Sequence, residues 1–309
     1  VPYFNRGNLK SDIDDNEGAI SDYSKAIEID SNHENSYFNR ALCKDKLKDN
    51  DGYLEDLNKV IELNPLNGEA LCLRGSYKHD NTDDWDEAVE DLKKAIEIDP
   101  EYAQAYFNLG DLLYDYADNR DDEKEGLEEA IHCFTKAIDI DPADHYIEAA
   151  HRYRGWARNR IGDYKNAISD FSALIDLDEN NAEAHNDRAS AKIELKDFEG
   201  AIQDTSKALE IEQNSDSEEF SEEAYKLRGQ AKKELGDIKG SAEDICTANK
   251  MNLEVWDSII ESDPEASNFK VRAGIKKDLG DLKGACEDWK KAAELGDEDA
   301  AKLLEEHCE

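Results

Sequence analysis

The 309-residue chain holds only five prolines, so little in it interrupts a helix interior. It lacks any run of ~18 apolar residues, which excludes a membrane-spanning helix. It is short of positive charge: 38 Lys and Arg stand against 76 Asp and Glu, a net charge of −38. A field of that sign repels phosphate, so nucleic acid and anionic membrane are not expected partners; basic proteins or cationic ligands are. The bland reading of the same charge is solubility. Apolar residues make up 39% of the chain and charged residues 37%. A single core at this length would be near its upper limit, and the balance suits thin helical layers with much solvated surface.

Catalytic and metal signatures are missing too. There is no Walker P-loop, no G-x-G-x-x-G and no G-x-S-x-G. The seven histidines give no H-x-x-x-H and no Cys/His cluster, so no zinc site is expected. Asp49-Asn50-Asp51-Gly52 resembles half a calcium loop, but Leu47 would fill its first ligand slot and Asn58 the slot that needs Glu. Carboxylates are too abundant for one pair to single itself out as catalytic. Neither an enzyme nor a bound cofactor is expected. Cys43, Cys72, Cys133, Cys246, Cys286 and Cys308 form no C-x-x-C. They read as small core residues in a reducing compartment and not as a disulfide frame, which places the protein in the cytoplasm. The chain opens at Val1-Pro2-Tyr3, already inside a repeat, so its natural start is expected upstream.

What is present is a recurring stretch. Its cleanest copy runs from Tyr153 to Leu174: an apolar-periodic segment, a Gly162-Asp163 break, and a second such segment. That order reads as helix, tight turn, helix. Aligned on a small residue in the first helix, the copies fall at Gly7, Ala41, Gly75, Gly110, Gly155, Ala189, Gly229 and Ala273. The second helix opens on Ala19, Tyr53, Ala88, Ala130, Ala167, Ala201, Ser241 and Ala285, with Tyr53 the one large exception. Four residues later come Tyr23, Leu57, Leu92, Phe134, Phe171, Thr205, Ile245 and Trp289. Small residues let two helices approach, and large ones fill the space against the next repeat. One such pair cannot bury its apolar face alone, so neighbours must stack.

These residues and their spacing resemble the tetratricopeptide repeat (TPR). The resemblance implies an all-α fold: a right-handed α-α superhelix of about eight helix-turn-helix repeats with a C-terminal capping helix. One solenoid over 1–309 is expected, with repeats near 1–31, 35–65, 69–100, 104–142, 148–179, 182–212, 222–251 and 266–295, and the cap at 297–308. Extra residues at 118–125 and 213–220 read as solvated loops. Those at 252–264 carry Val255, Trp256, Ile259 and Ile260, which need burial, so a short helix is expected there. The family also implies a non-enzymatic scaffold that binds a protein or peptide in a groove lined by the first helices. The rival readings are a structural subunit of a larger assembly and a regulatory or targeting arm of an enzyme. Oligomeric state is not legible.

Two patterns depart from the family's usual one. Seven copies carry Arg before the small residue, Lys or Arg four residues on, and Asp in the second helix, as in Arg188, Lys192 and Asp204. The fourth copy has Leu109, Leu113 and Cys133 instead. Three slots that turn apolar together are expected to touch, as a buried pair between helices. The second departure is His151–Arg160, with four arginines and no acid. Arg152, Trp156 and Arg160 share one helix face, with Tyr153 and Asn159 beside them and His185 and Asn186 on the next repeat. They are the candidate peptide-binding residues, suited to an acidic group flanked by an apolar side chain. The competing reading is that Arg152 and Arg160 neutralise acids such as Asp111, Asp115 or Asp187. The subclass of the family that clamps chaperone C-termini does not fit: starting from Arg152, its remaining slots hold Trp156, Asp187, Glu223 and Leu227.

Overall fold

A computed structural model describes residues 2–82, 84–119, 123–143, 145–214 and 222–308. Residues 120–122 and 215–220, where parts of the two solvated loops were expected, lie outside the described residues. Among the described residues are seventeen α-helices, one short 3₁₀ turn and no strand. They form two compact units, Val1–Asp163 and Tyr164–Glu309.

The first unit holds α1 (Pro2–Ser11), α2 (Asn16–Ile29), α3 (Glu34–Lys46), α4 (Asn50–Leu63), α5 (Gly68–Asn81), α6 (Trp85–Ile98), α7 (Ala103–Tyr116), α8 (Glu123–Ile140) and α9 (Ile147–Arg160). The second holds α10 (Tyr164–Leu177), α11 (Ala182–Glu194), α12 (Phe198–Asn214), α13 (Glu222–Glu234), α14 (Ile238–Ser262), α15 (Ala266–Asp278), α16 (Leu282–Glu294) and α17 (Glu298–His307). Within each unit a helix packs on its neighbours in sequence. This is the all-α helix-turn-helix stack that the repeat frame predicts, closed by a C-terminal helix.

The turns show why the chain folds back so tightly. Asp15, Asp49, Asp197, Asp237 and Asp281 each cap a second helix, accepting the N–H of Gly18, Gly52, Gly200, Gly240 and Gly284. A Cβ on any of these glycines would run into the capping carboxylate, so Asp-x-x-Gly acts as one unit. The residue before the cap takes a left-handed backbone, supplied freely by Gly162 at φ 83° but also by Lys196 at φ 62°.

The small and large positions meet within one helix pair. A Cβ on Gly110 would stand 2.9 Å from the Phe134 ring, and one on Gly75 2.8 Å from Leu92. The large residue therefore fills the space left by the small residue of its own pair, not only the space toward the next repeat. Tyr53 is accommodated because its ring turns toward the following helix. It is buried, and its ring centroid lies 5.4 Å from that of Tyr77 on α5.

Three expectations are corrected. The short helix expected at 252–264 is instead the end of α14, which runs unbroken to Ser262 with no Pro or Gly between Ser241 and Ser262. Ile260 is buried, but Val255 is exposed. Residues 123–125 are the first turn of α8, and 118–119 belong to the 3₁₀ turn at 117–119, so these parts of the stretch expected as a loop at 118–125 are helical. Finally, Cys286 on α16 and Cys308 after α17 are joined in a disulfide, although Cys43, Cys72 and Cys133 are free and buried as expected. The two cysteines sit 22 residues apart in sequence, and the terminal helix folds back to bring them together. A disulfide is rare where thiols are kept reduced, so the cysteine argument for a reducing compartment falls.

Candidate functional site

The repeated basic and acidic slots meet as expected. Arg188 sends Nε and Nη2 to the two carboxylate oxygens of Asp204 at 2.9 and 2.7 Å, and Lys192 joins at 2.7 Å. The same fork joins Arg6 to Asp22, Arg40 to Asp56, Arg74 to Asp91, Arg228 to Asp244 and Arg272 to Asp288. The aspartates are buried throughout, while the Arg6 side chain is 55% exposed and the Arg272 side chain 13%. Hydrogen bonds from Arg6 and Lys10 hold Asp22 well below the usual carboxylate range. Burial would raise Asp204, but His185, Arg188 and Lys192 outweigh it and hold it low. The remaining guanidinium nitrogen reaches a residue two positions past the preceding Asp slot: Arg40 to Ser24 at 2.9 Å, Arg74 to Asn58 at 2.7 Å, Arg188 to Ser172 at 3.0 Å. Arg40, Arg74 and Arg188 thus tie their own helix pair to the one before. Sequence reasoning missed this third contact, although Ser24, Asn58, Thr135 and Ser172 recur in register. In the fourth copy Leu109, Leu113 and Cys133 lie together in one buried apolar cluster.

The basic face of α9 carries its charge already matched. Arg152 pairs with Glu148 one turn back, at 2.7 Å. Arg160 pairs with Asp118 and, at 2.5 Å, with Glu123, and its guanidinium lies 5.4 Å from the Tyr114 ring centroid. Burial opposes the Arg160 charge, but Glu123, Tyr114 and Asp118 outweigh it. The acids paired with Arg152 and Arg160 include Glu148, Asp118 and Glu123, which the sequence reading did not name. Tyr153 is half-buried and stacks on Phe134 with centroids 5.9 Å apart; Trp156 meets its edge at 5.5 Å. Asn159 is half-buried on the same helix. His185 and Asn186 belong to the second unit and are buried, 6% and 7% exposed. His185 stands 3.7 Å from Asp204, so it serves the ion-paired slot there.

The preceding first helix, α7, carries Asp111 and Asp115 and no Lys or Arg. His79 of α5 lies 3.3 Å from Asp115 of α7 and 3.6 Å from Asp80. Burial pushes the half-buried Asp111 up to about 6; His79 opposes this, and Asp115 and Asp80 add to it. Among the described residues no three His, Cys, Asp or Glu side chains gather as a metal-binding group, and no helix is long and apolar enough to cross a membrane.

Family models described as tetratricopeptide repeat match residues 2–33, 123–144 and 154–217, and one described as TPR repeat matches 83–115. The chain is a tetratricopeptide-repeat protein. No curated protein matches it in sequence. Among solved structures this TPR protein is similar to the MamA protein, at 24% identity and TM-score 0.51, over 61% of this chain and 96% of that one. It is also similar to YrrB, described as a TPR protein with an unusual peptide-binding site, at 21% identity and TM-score 0.54, over 62% and 93%. A tetratricopeptide-repeat protein from Parabacteroides merdae matches at 16% identity and TM-score 0.55, over 88% and 97%. At such identities these likenesses establish the fold, and the fold in turn is one that generally mediates protein–protein interaction. The TPR frame also sorts the residues above: the Arg–Asp slot lies between helices, whereas Trp156 and Asp111 lie one residue past the small position of α9 and α7.

Proposed function

We propose that this TPR protein is a non-enzymatic scaffold that holds a protein or peptide segment in the groove lined by its first helices. The α9 face of Arg152, Tyr153, Trp156, Asn159 and Arg160 is its principal contact in the first unit. One observation carries the reading: Trp156 is only half-buried and stands on the edge of Tyr153, itself stacked on the core ring of Phe134. A rigid aromatic held in this way is the usual anchor of a binding hot spot. Peptide binding by the similar protein YrrB is consistent with it. Arg152 and Arg160 frame the anchor, but each is already paired with an acid, so they contribute less than the tryptophan.

The test is affinity capture from native extract with the wild-type chain and with Trp156→Ala, followed by calorimetry on the partner recovered. The tryptophan truncation is expected to weaken binding by about 2 kcal/mol or more. An unchanged affinity in a variant that keeps its helical spectrum would place the contact elsewhere.

A further inference from the structure

The second copy departs from the frame at Tyr53, where every other copy has alanine or serine. The ring cannot enter the space between its own helices and turns instead toward α5. There it helps to wall a pocket of about 280 Å³, lined by Asp45, Asn50, Tyr53, Leu73, Ser76, Tyr77, Asp80 and Asn81. Leu73, Ser76, Tyr77 and Asp80 follow one another at i, i+3, i+4 and i+7 along α5, so they present one face. Asp45 ends α3 and Asn50 opens α4 on the other side. Most of the pocket's lining is polar, and Tyr53, Leu73 and Tyr77 are its aromatic and aliphatic members. Asp45 and Asp80 are exposed carboxylates at its rim. No described side chain donates a hydrogen bond to Asp45, and a ring nitrogen of His79 stands 3.6 Å from Asp80.

We propose that this pocket takes a lysine or arginine side chain of a basic peptide segment, its alkyl stem along Tyr53, Leu73 and Tyr77 and its charged head between Asp45 and Asp80. The inference rests on the groove-binding reading and adds the chemistry of the partner. Long cationic side chains bury their stems against apolar surface and keep the head at a polar rim. They are further drawn to aromatic faces. An apolar side chain would leave both carboxylates without a counter-charge, and an acidic one would meet them head-on. The next first helix, α7, adds Asp115 and Asp111, so further basic residues on the segment find partners, whereas the paired arginines of α9 offer little to an acidic one. The chain's charge of −38 favours the same choice.

The experiment uses two capped, dye-labelled peptides, one alternating lysine with leucine and one with glutamate in place of lysine. Binding is read by anisotropy at about 0.15 M salt, where the Debye length of about 8 Å suppresses long-range attraction. The lysine peptide is expected to bind and the glutamate peptide not to. Asp45→Asn with Asp80→Asn should weaken binding about tenfold or more, the loss of a charge-assisted hydrogen bond. The control Glu287→Gln with Glu294→Gln removes the same charge from exposed sites in the second unit and should leave binding unchanged. Tyr53→Ala, which restores the residue type of the other copies, should weaken binding similarly, with helicity checked. Carbodiimide should join peptide lysine to Asp45 or Asp80. Equal losses for the pocket pair and the control pair would overturn the proposal, leaving only bulk charge attraction. Preference for the glutamate peptide would overturn it in favour of the α9 arginines, with groove binding intact. Binding of neither peptide would also overturn it; the groove reading itself stands or falls on the Trp156→Ala measurement.

Discussion

Between α11 and α12, Arg188 and Lys192 close on the buried carboxylate of Asp204; at the same slot of α7 and α8 stand Leu109, Leu113 and Cys133, buried in one apolar cluster. The backbone frame is shared, and only the filling differs. A buried ion pair and a well-packed apolar set of similar volume are often close in stability, because desolvation offsets much of the Coulomb gain. What differs is geometry. A bidentate guanidinium fits its carboxylate at one height along the helix, and the third contact, such as Arg188 to Ser172, fixes the preceding pair as well. The apolar slot relies on shape alone. The neighbouring face of that copy is where Phe107, Tyr114, Tyr116, Tyr146 and Tyr153 gather around the core.

The comparison can be broken most severely by crossing the two fillings singly. Leu109→Arg puts a guanidinium into a site that is 3% exposed and lacks its aspartate; a loss of about 3–5 kcal/mol in denaturant unfolding is expected for an unpaired buried charge. The converse, Arg188→Ala, strands Asp204. Lys192 and His185 remain beside that carboxylate, so the loss should be nearer the lower end, about 3 kcal/mol. The surface control Lys196→Ala should stay within about 0.5 kcal/mol.

The two copies should also answer pH with opposite sign. Asp204 is held below its unfolded value of about 4. Its stabilisation is therefore complete above about pH 4 and is lost as pH falls through the lower folded value. Asp111, pushed up to about 6, binds a proton more readily folded than unfolded, so stability falls as pH rises from about 4 through 6 and stays low above. Asp111→Asn should remove that fall in thermal melts between about pH 4 and 7 and raise stability at neutral pH, with Asp204→Asn leaving it in place. A smaller effect sharpens the turn. Lys196→Gly relieves a left-handed backbone at φ 62° and should stabilise by up to about 1 kcal/mol, whereas Gly162→Ala should destabilise by a similar amount.

Much of this was legible in the sequence because small-to-large spacing and turn chemistry are local. The simultaneous change to Leu109, Leu113 and Cys133 also disclosed a contact 24 residues apart in the chain. What was not legible depends on where side chains end. The acids seen against Arg152 and Arg160 include Glu148, one turn back, and Asp118 and Glu123, none of which the facing-helix reading named. His185 was assigned to a binding face but is turned to Asp204, because a ring one turn before an arginine reaches the same carboxylate. The Cys286–Cys308 bond needed the terminal helix to fold back, which no spacing rule declares. Tyr53 was visible as an exception, but its consequence, a pocket against α5, required the next helix to be in place.

The Arg–Lys–Asp slot is expected to behave as one structural unit, exchangeable as a whole and not in parts. The direct test is Arg188→Leu, Lys192→Leu and Asp204→Cys together, which writes the α7–α8 filling into α11–α12. Urea unfolding of this triple variant, of Arg188→Leu alone and of the wild type should place the triple within about 1 kcal/mol of the wild type, with the single variant about 3 kcal/mol lower. A triple variant that loses as much as the single one, or more, would contradict the claim.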